Sequence, residues 1–301
     1  MFNIKKSLLC IIAISCMSLY ASFITVNIPI TIGSTPSVPT KTDYNYWSTE
    51  AEEDNTYVFN RDKGKNDKHW IPKNTVTVDN DYTLKLTTNY TDRYYCVLDC
   101  YNIFTNNGNV IIDKYGILAI KYNKPIGNSN NNGAIDIING GLAVYDKAKL
   151  NNTGTITLTG SSFIYIYCSC STLTNTGTID ISDITNLSGW YNDNIFTLEG
   201  GSTFILPKSI TNKIKTNKWK KPITLNGTDN KPVNIVIPKG CEYITDIDNN
   251  KKEELFNAIE DATGFTFGEN KDNVKFSWQT DDVKQTTETS ADNECEYMDE
   301  C

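Results

Sequence analysis

His69 is the only histidine among the 301 residues, and that is the first limit on the chemistry open to this chain. Nucleophilic sites built on Ser/His/Asp or Cys/His need an imidazole to take the proton, so any such site would have to include His69. It lies in "NDKHWIP" beside Trp70, with no second histidine to complete an ordinary zinc site. A solvated or packed ring is the plainer expectation.

Thiols are the next candidates. Beyond the first 21 residues the chain carries Cys96, Cys100, Cys168, Cys170, Cys241, Cys295 and Cys301. In "YIYCSCS" the alternation of Ile164 and Ile166 continues onto Cys168 and Cys170, which predicts inward thiols. "YYCVLDCY" likewise predicts Cys96 and Cys100 on one face. Four thiols raise the idea of a metal site. If the two pairs lie three rungs apart in a stack, however, roughly 14 Å separates them, too far for one tetrahedral site or for a direct bridge. Small buried thiols or a local Cys96–Cys100 disulfide are expected instead. Cys295 and Cys301 could close a loop or crosslink chains. Cys241 is left over, and no metal or cofactor is expected.

Paired carboxylates on one face would suit a polysaccharide-cleaving enzyme. Asp113, Asp136 and Asp180 fall near equivalent positions of a repeat, and Asp136 and Asp180 are the two that could act. Thr157 interrupts the row, so a solvated outer face is preferred. The aromatic candidates are Tyr122, Tyr145, Tyr165, Tyr167 and Trp190. Tyr165 and Tyr167 alternate with inward isoleucines, and together the five would form an exposed strip suited to binding protein or glycan.

The elements that must hold these residues are legible from Asn74 to Leu206. "NNGNVIIDKYGILAIKY", "NNGAIDIINGGLAVYD", "NTGTITLTGSSFIYIY" and "NTGTIDISDI" share the form Asn–(Asn/Thr)–Gly, strand, turn, strand, with Gly108, Gly133, Gly154 and Gly177 spaced 25, 21 and 23 residues apart. A degenerate copy, "NIFTLEGGSTFIL", starts at Asn194. One such unit cannot bury its own apolar face, and stacked units can. The inward set is Val110/Ile112, Ile135/Ile137, Ile156/Leu158 and Ile179/Ile181 on the first strands. On the second strands it is Leu118/Ile120, Leu142/Val144, Ile164/Ile166 and Phe204/Leu206. Asn is expected to ladder from coil to coil, and Gly to supply positive φ at each corner. An antiparallel sandwich also has short strands but requires no near-copies. The predicted fold class is therefore all-β, a parallel β-solenoid with a small α/β C-terminal cap and a disordered acidic tail.

Around it, residues 1–21 are expected to be a signal peptide, with Lys5 and Lys6 preceding an apolar run too short to span a bilayer. A lipid-accepting Cys16 is the alternative. Residues 22–45 are predicted to be an extended leader, 46–73 an N-terminal cap, and 207–280 a capping region. That region should include a helix over about 250–263, with Asn249 or Asn250 as N-cap and Leu255, Ile259 and Ala262 on its buried face. Residues 281–301 are predicted to be the tail. A net charge of −8 and only two arginines exclude a basic nucleic-acid stripe, and the Lys-rich stretch "NKIKTNKWKK" is best explained as a solvated loop or guarded edge. Asn89, Asn151, Asn186 and Asn226 begin N-x-Ser/Thr sequons.

The repeats "NNGAIDIINGGLAVYD" and "NTGTITLTGSSFIYIY" resemble the β-helical passenger regions of bacterial autotransporters and filamentous-haemagglutinin-type adhesins. The resemblance covers about residues 74–206. It implies a right-handed parallel β-helix used for adhesion at the cell surface, and no catalytic motif. No membrane-barrel pattern follows Pro207. The expected function is that of a secreted or cell-surface binding protein without catalysis, whose partner is a host-cell protein or glycan. No nucleic-acid partner and no transmembrane segment in the mature chain are expected. The alternatives are a polysaccharide lyase or hydrolase, and an envelope component crosslinked through intermolecular disulfides.

Overall fold

The computed structural model describes residues 30–32, 55–60, 69–70, 75–87, 96–113, 115–121, 127–168 and 170–280. They form a parallel β-solenoid of three sheets, with eight, nine and six strands among the described residues. Each coil visits the three sheets in turn. Ser129–Asn131 lies in the first sheet, Ala134–Ile138 in the second and Gly141–Val144 in the third, before Lys149–Asn152 returns to lie parallel on Ser129–Asn131.

The sequence predicts two strands per coil, and the structure has three. The additional strands, such as Lys149–Asn152 ("KLNN") and Thr172–Asn175 ("TLTN"), are four residues long and mostly polar, with Leu150 and Leu173 as their inward apolar residues. That is too short a pattern to stand out. The stack also runs past both expected limits of 74–206. Ile30–Ile32, within the expected leader, pairs with Val76–Val78. Thr56–Asn60 pairs with Thr83–Thr87, so the expected N-terminal cap contributes strands to the stack. Val233–Ile237 and Val274–Trp278 extend the second sheet beyond Thr203–Ile205. The signal-peptide and tail predictions, 1–21 and 281–301, lie outside the described residues.

Register explains the core. Val110, Ile135, Ile156, Ile179, Phe204 and Ile235 are Cα partners rung by rung in the second sheet, and all are 0% exposed. Leu98, Leu118, Leu142 and Ile164 form the matching column of the third sheet. Each such side chain contributes about 1.5–3 kcal/mol on burial, an upper bound because the unfolded chain is already partly collapsed. Phe204 stands on Ile179, so it belongs to the first-strand column and not to the second-strand column predicted for it. The last copy is likewise shifted: Ile195–Glu199 joins the first sheet and Gly200 stands at the corner.

The corner after the first sheet is held by an asparagine ladder. Asn106 Nδ2 donates to Asn131 Oδ1 at 2.7 Å, Asn131 to Asn152 at 2.6 Å, and Asn152 to Asn175 at 2.7 Å, all four side chains fully buried. Each amide also donates to a backbone carbonyl of the next coil. The ladder stops where the register puts Leu198 over Asn175. At its other end Asn106 stands over Val78, and its buried Oδ1 has no donor.

Glycine beside each rung serves a different purpose from the one predicted. None of Gly108, Gly133, Gly154 and Gly177 has positive φ. A Cβ on Gly154 would overlap the carbonyl oxygen of Gly133, and one on Gly177 that of Gly154. Close backbone approach between coils excludes a side chain there. Positive φ falls instead at the second corner, on Tyr115, Asn139 and Gly160.

Among the described residues one α-helix, α1, spans Lys252–Thr263, close to the expected 250–263, and ends on Gly264 at φ 77°. Its N-cap is Lys251, which makes no side-chain cap hydrogen bond, in place of Asn249 or Asn250. Asn249 is drawn away to the strand Val274–Trp278, where its amide bonds both the N–H and the C=O of Phe276. Leu255, Phe256, Ile259 and Thr263 are the buried face, whereas Ala262 is half-exposed. Phe265, just beyond the helix, closes the end of the stack against Trp190 at 5.7 Å, Phe204 at 5.8 Å and Trp219 at 5.1 Å.

Candidate functional site

The outer face of the third sheet gathers the chemistry that the core leaves over. Asp99, Ala119, Ala143, Tyr165 and Tyr191 stand rung by rung in one outward column. Tyr101, Lys121, Tyr145 and Tyr167 each directly follow the last core residue of their strand and form a second column. Strand alternation puts both columns on the same side.

The upper part is a tyrosine cluster. Tyr165 and Tyr191 stack with centroids 4.7 Å apart at 22°, Tyr167 meets Tyr191 edge-on at 5.5 Å, and Tyr165 and Tyr167 lie 5.8 Å apart. Tyr167 remains 42% exposed. Lys220, from the Lys-rich stretch, places Nζ 5.3 Å from the Tyr191 centroid and 2.9 Å from its hydroxyl, which raises the lysine pKa. The Tyr191 hydroxyl donates to Asp193 Oδ2 at 3.1 Å. Burial lifts the Tyr165 phenol above its ordinary range, so it stays neutral and hydrogen-bond competent around pH 7.

Over the three rungs below, charge is neutralised internally. Lys121 Nζ lies 2.9 Å from Asp99 Oδ1, between the rings of Tyr101 at 4.9 Å and Tyr145 at 4.5 Å. The Tyr145 hydroxyl donates to Asp99 at 3.0 Å. Tyr145 is therefore half-buried and engaged, in contrast to the exposed ring predicted. The result is an aromatic surface on hydrogen-bonded strands, with the Lys121–Asp99 pair largely buried beside it.

No protein-family model, no curated protein and no solved structure matches this chain.

The predicted site residues fare differently. Tyr165 and Tyr167 come together. Trp190 is a correction: it is 0% exposed, donates its indole N–H to the Ser162 carbonyl at 3.0 Å, and packs in the end of the core. Its neighbour Tyr191 holds the outward position and is half-buried. The loop from Thr185 to Trp190 has no period to carry inside/outside parity across it, so counting could not assign either ring. Tyr122, Cys295 and Cys301 lie outside the described residues, as do the side chains of Cys96 and His69. The Cys96–Cys100 bridge is also corrected. Both residues belong to one extended strand, in which residues four apart are separated by about 13 Å, and Cys100 is a free buried thiol. Burial, reinforced by Asp99, pushes that thiol well above its usual range.

The carboxylates do not assemble. Asp136 and Asp180 occupy one outward column of the second sheet, but Thr157 stands between them, about 9.6 Å separates their rungs, and Ile111 and Ile205 flank them. Asp113 lies two residues along, in the column of Ile138, and leaves the row. Asp180 accepts the Ser182 N–H at 2.9 Å, beside the bulge where the register shifts. Burial pushes Asp136 up, opposed by a hydrogen bond from Thr157. Among the described residues, no three of His, Cys, Asp and Glu are grouped as metal ligands, and no helix is long and apolar enough to cross a membrane.

Cys168 and Cys170 are the largest departure from the sequence reading. They do not continue the inward alternation. Both have positive φ, 67° and 72°, at the corner after Tyr167, where Cys168 is half-exposed and Cys170 exposed.

Proposed function

We propose that this chain is an exported or cell-surface β-solenoid that binds a protein or glycan partner through its Tyr165–Tyr167–Tyr191 face and performs no catalysis. The observation that carries this reading is the cluster itself: three tyrosine rings within 4.7–5.8 Å of one another, held on strands in register. Tyrosine offers apolar area and a hydroxyl at small entropic cost, since it has two side-chain torsions, and backbone ladders supply the rigidity. The resemblance of the repeats to bacterial adhesins supports the same assignment, and the predicted signal peptide supports export.

The test is binding of the soluble full chain to intact host cells and to a glycan array. Tyr191→Ala and Tyr167→Ala are each expected to weaken it about 30-fold, the effect of losing an aromatic anchor worth roughly 2 kcal/mol. Tyr115→Ala is the control, since Tyr115 is 45% exposed on a different corner. Equal binding by all three variants would remove the face from the proposal. Release of reducing or unsaturated ends from acidic polysaccharide, abolished in Asp136→Asn, would replace binding by catalysis.

A further inference from the structure

The corner that follows Tyr167 carries two thiols that reach the surface. Cys168 is half-exposed and Cys170 exposed, whereas the other described free cysteines, Cys100 and Cys241, are buried. The corner is a hydrogen-bonded turn, because the Ser171 N–H donates to the Cys168 carbonyl at 3.3 Å. Cys170 is the third residue of that turn, and its φ of 72° lies in the left-handed region, a conformation usually given to glycine. A side chain in the left-handed region is costly and persists where its surroundings impose it.

Here the surroundings are Asn194. Its Oδ1 accepts the Cys170 N–H at 3.0 Å, and its Nδ2 donates to the Cys168 carbonyl. One amide from the next coil thus clamps the backbone between the two cysteines. Ser171, fully buried, ties the same corner to the body by donating its hydroxyl to the Tyr167 carbonyl at 2.8 Å. Consecutive Cα atoms are about 3.8 Å apart, so two Cα atoms separated by one residue at a bend lie roughly 5–6.5 Å apart, within the span of a disulfide.

We infer that Cys168 and Cys170 form a surface dithiol that closes to an intrachain disulfide by exchange with a low-molecular-weight or protein disulfide. The Cys170 thiolate attacks one sulfur of the incoming disulfide, breaking its S–S bond, forming a mixed disulfide and expelling one thiolate. The Cys168 thiolate then attacks Cys170 Sγ, forming the intrachain bond and expelling the second thiolate. The two protons lost by the cysteines end on the two released thiols, so the chain is oxidised by two electrons and the incoming disulfide is reduced. Cys170 is the entry point because it is the more exposed. Desolvation and the neighbouring Asp146 keep Cys168 more firmly protonated than an ordinary thiol, which suits it to the second, intramolecular step. Closure makes the corner carrying Tyr167 a covalent ring.

The experiment uses the reduced full chain, exposed to oxidised glutathione, then unfolded, alkylated and mapped by mass spectrometry. The peptide holding Cys168 and Cys170 is expected to be two hydrogens lighter and unalkylated, while Cys100 and Cys241 alkylate only after unfolding. In Cys168→Ser, glutathione is expected to remain attached at Cys170, because the resolving thiol is gone. Alkylation of both thiols in the wild type, a glutathione adduct that persists on the wild-type pair, or a link from Cys168 or Cys170 to a second chain would each overturn the assignment.

Discussion

Gly154 and Gly240 illustrate two different reasons for glycine in one molecule. Gly154 has ordinary φ but no room, since a methyl group would overlap the Gly133 carbonyl oxygen. Gly240 has φ 73°, and a Cβ there would meet only the end of the Lys208 side chain. Gly154→Ala should therefore force two coils apart and cost roughly 3 kcal/mol or more. Gly240→Ala should cost about 1–2 kcal/mol, the usual penalty for an L-residue in the left-handed region. Urea unfolding of the two variants separates these mechanisms, and equal costs would refute the close-approach explanation. Asp136 makes a second residue-scale prediction. Its pKa is raised by desolvation, so the folded state binds the proton more tightly than the unfolded state. Stability attributable to Asp136 is thus present below the unfolded value, about 3.9, and declines as pH rises through the higher folded value. Asp136→Asn should match the wild type in acid and exceed it at neutral pH, read from urea midpoints across that range. A loss at neutral pH would show that the carboxylate makes a stabilising interaction.

At the scale of elements, helix α1 matters less for its own stability than for what it delivers. It has no side-chain N-cap and no basic residue in its last turn, so packing must hold it. Directly after it, Phe265 packs against Trp190, Phe204, Trp219 and Phe267 and is 0% exposed. Phe265→Ala should cost about 3–5 kcal/mol through the cavity it leaves. The loss should be local at first. Hydrogen exchange is expected to quicken in Ile195–Glu199 and Thr203–Ile205 before Asn109–Asp113, because each coil rests on its neighbours. Uniform loss of protection along the chain would mean that the stack unfolds as one unit. Tyr191 also belongs to this scale. It reaches the tyrosine face because its two-residue strand, Tyr191–Asn192, pairs in parallel with Tyr165–Ile166, and no property of the ring alone would place it there.

For the whole molecule, the sequence by itself determined the solenoid stacking and the core columns of the second and third sheets, but not the first sheet that completes each coil. Near-copies of Asn-x-Gly followed by alternating isoleucines permit one economical burial, coil upon coil, and the columns through Ile135, Ile156 and Ile179 and the ladder through Asn131, Asn152 and Asn175 follow directly. Period-2 alternation is local, so it could be counted within each strand. Only the tertiary structure decided where alternation ends. Cys168 and Cys170 keep the spacing of an inward pair, yet Asn194 from the next coil bends them into an exposed turn. Trp190 and Tyr191 are neighbours in the chain, yet one fills the core and the other faces outward, since the parity of a strand after a loop is fixed by the coil it lands on. Glycine's role shows the same division. Its positions were legible, but its purpose depends on the distance between two backbones some two dozen residues apart, a distance that exists only after the coils have stacked.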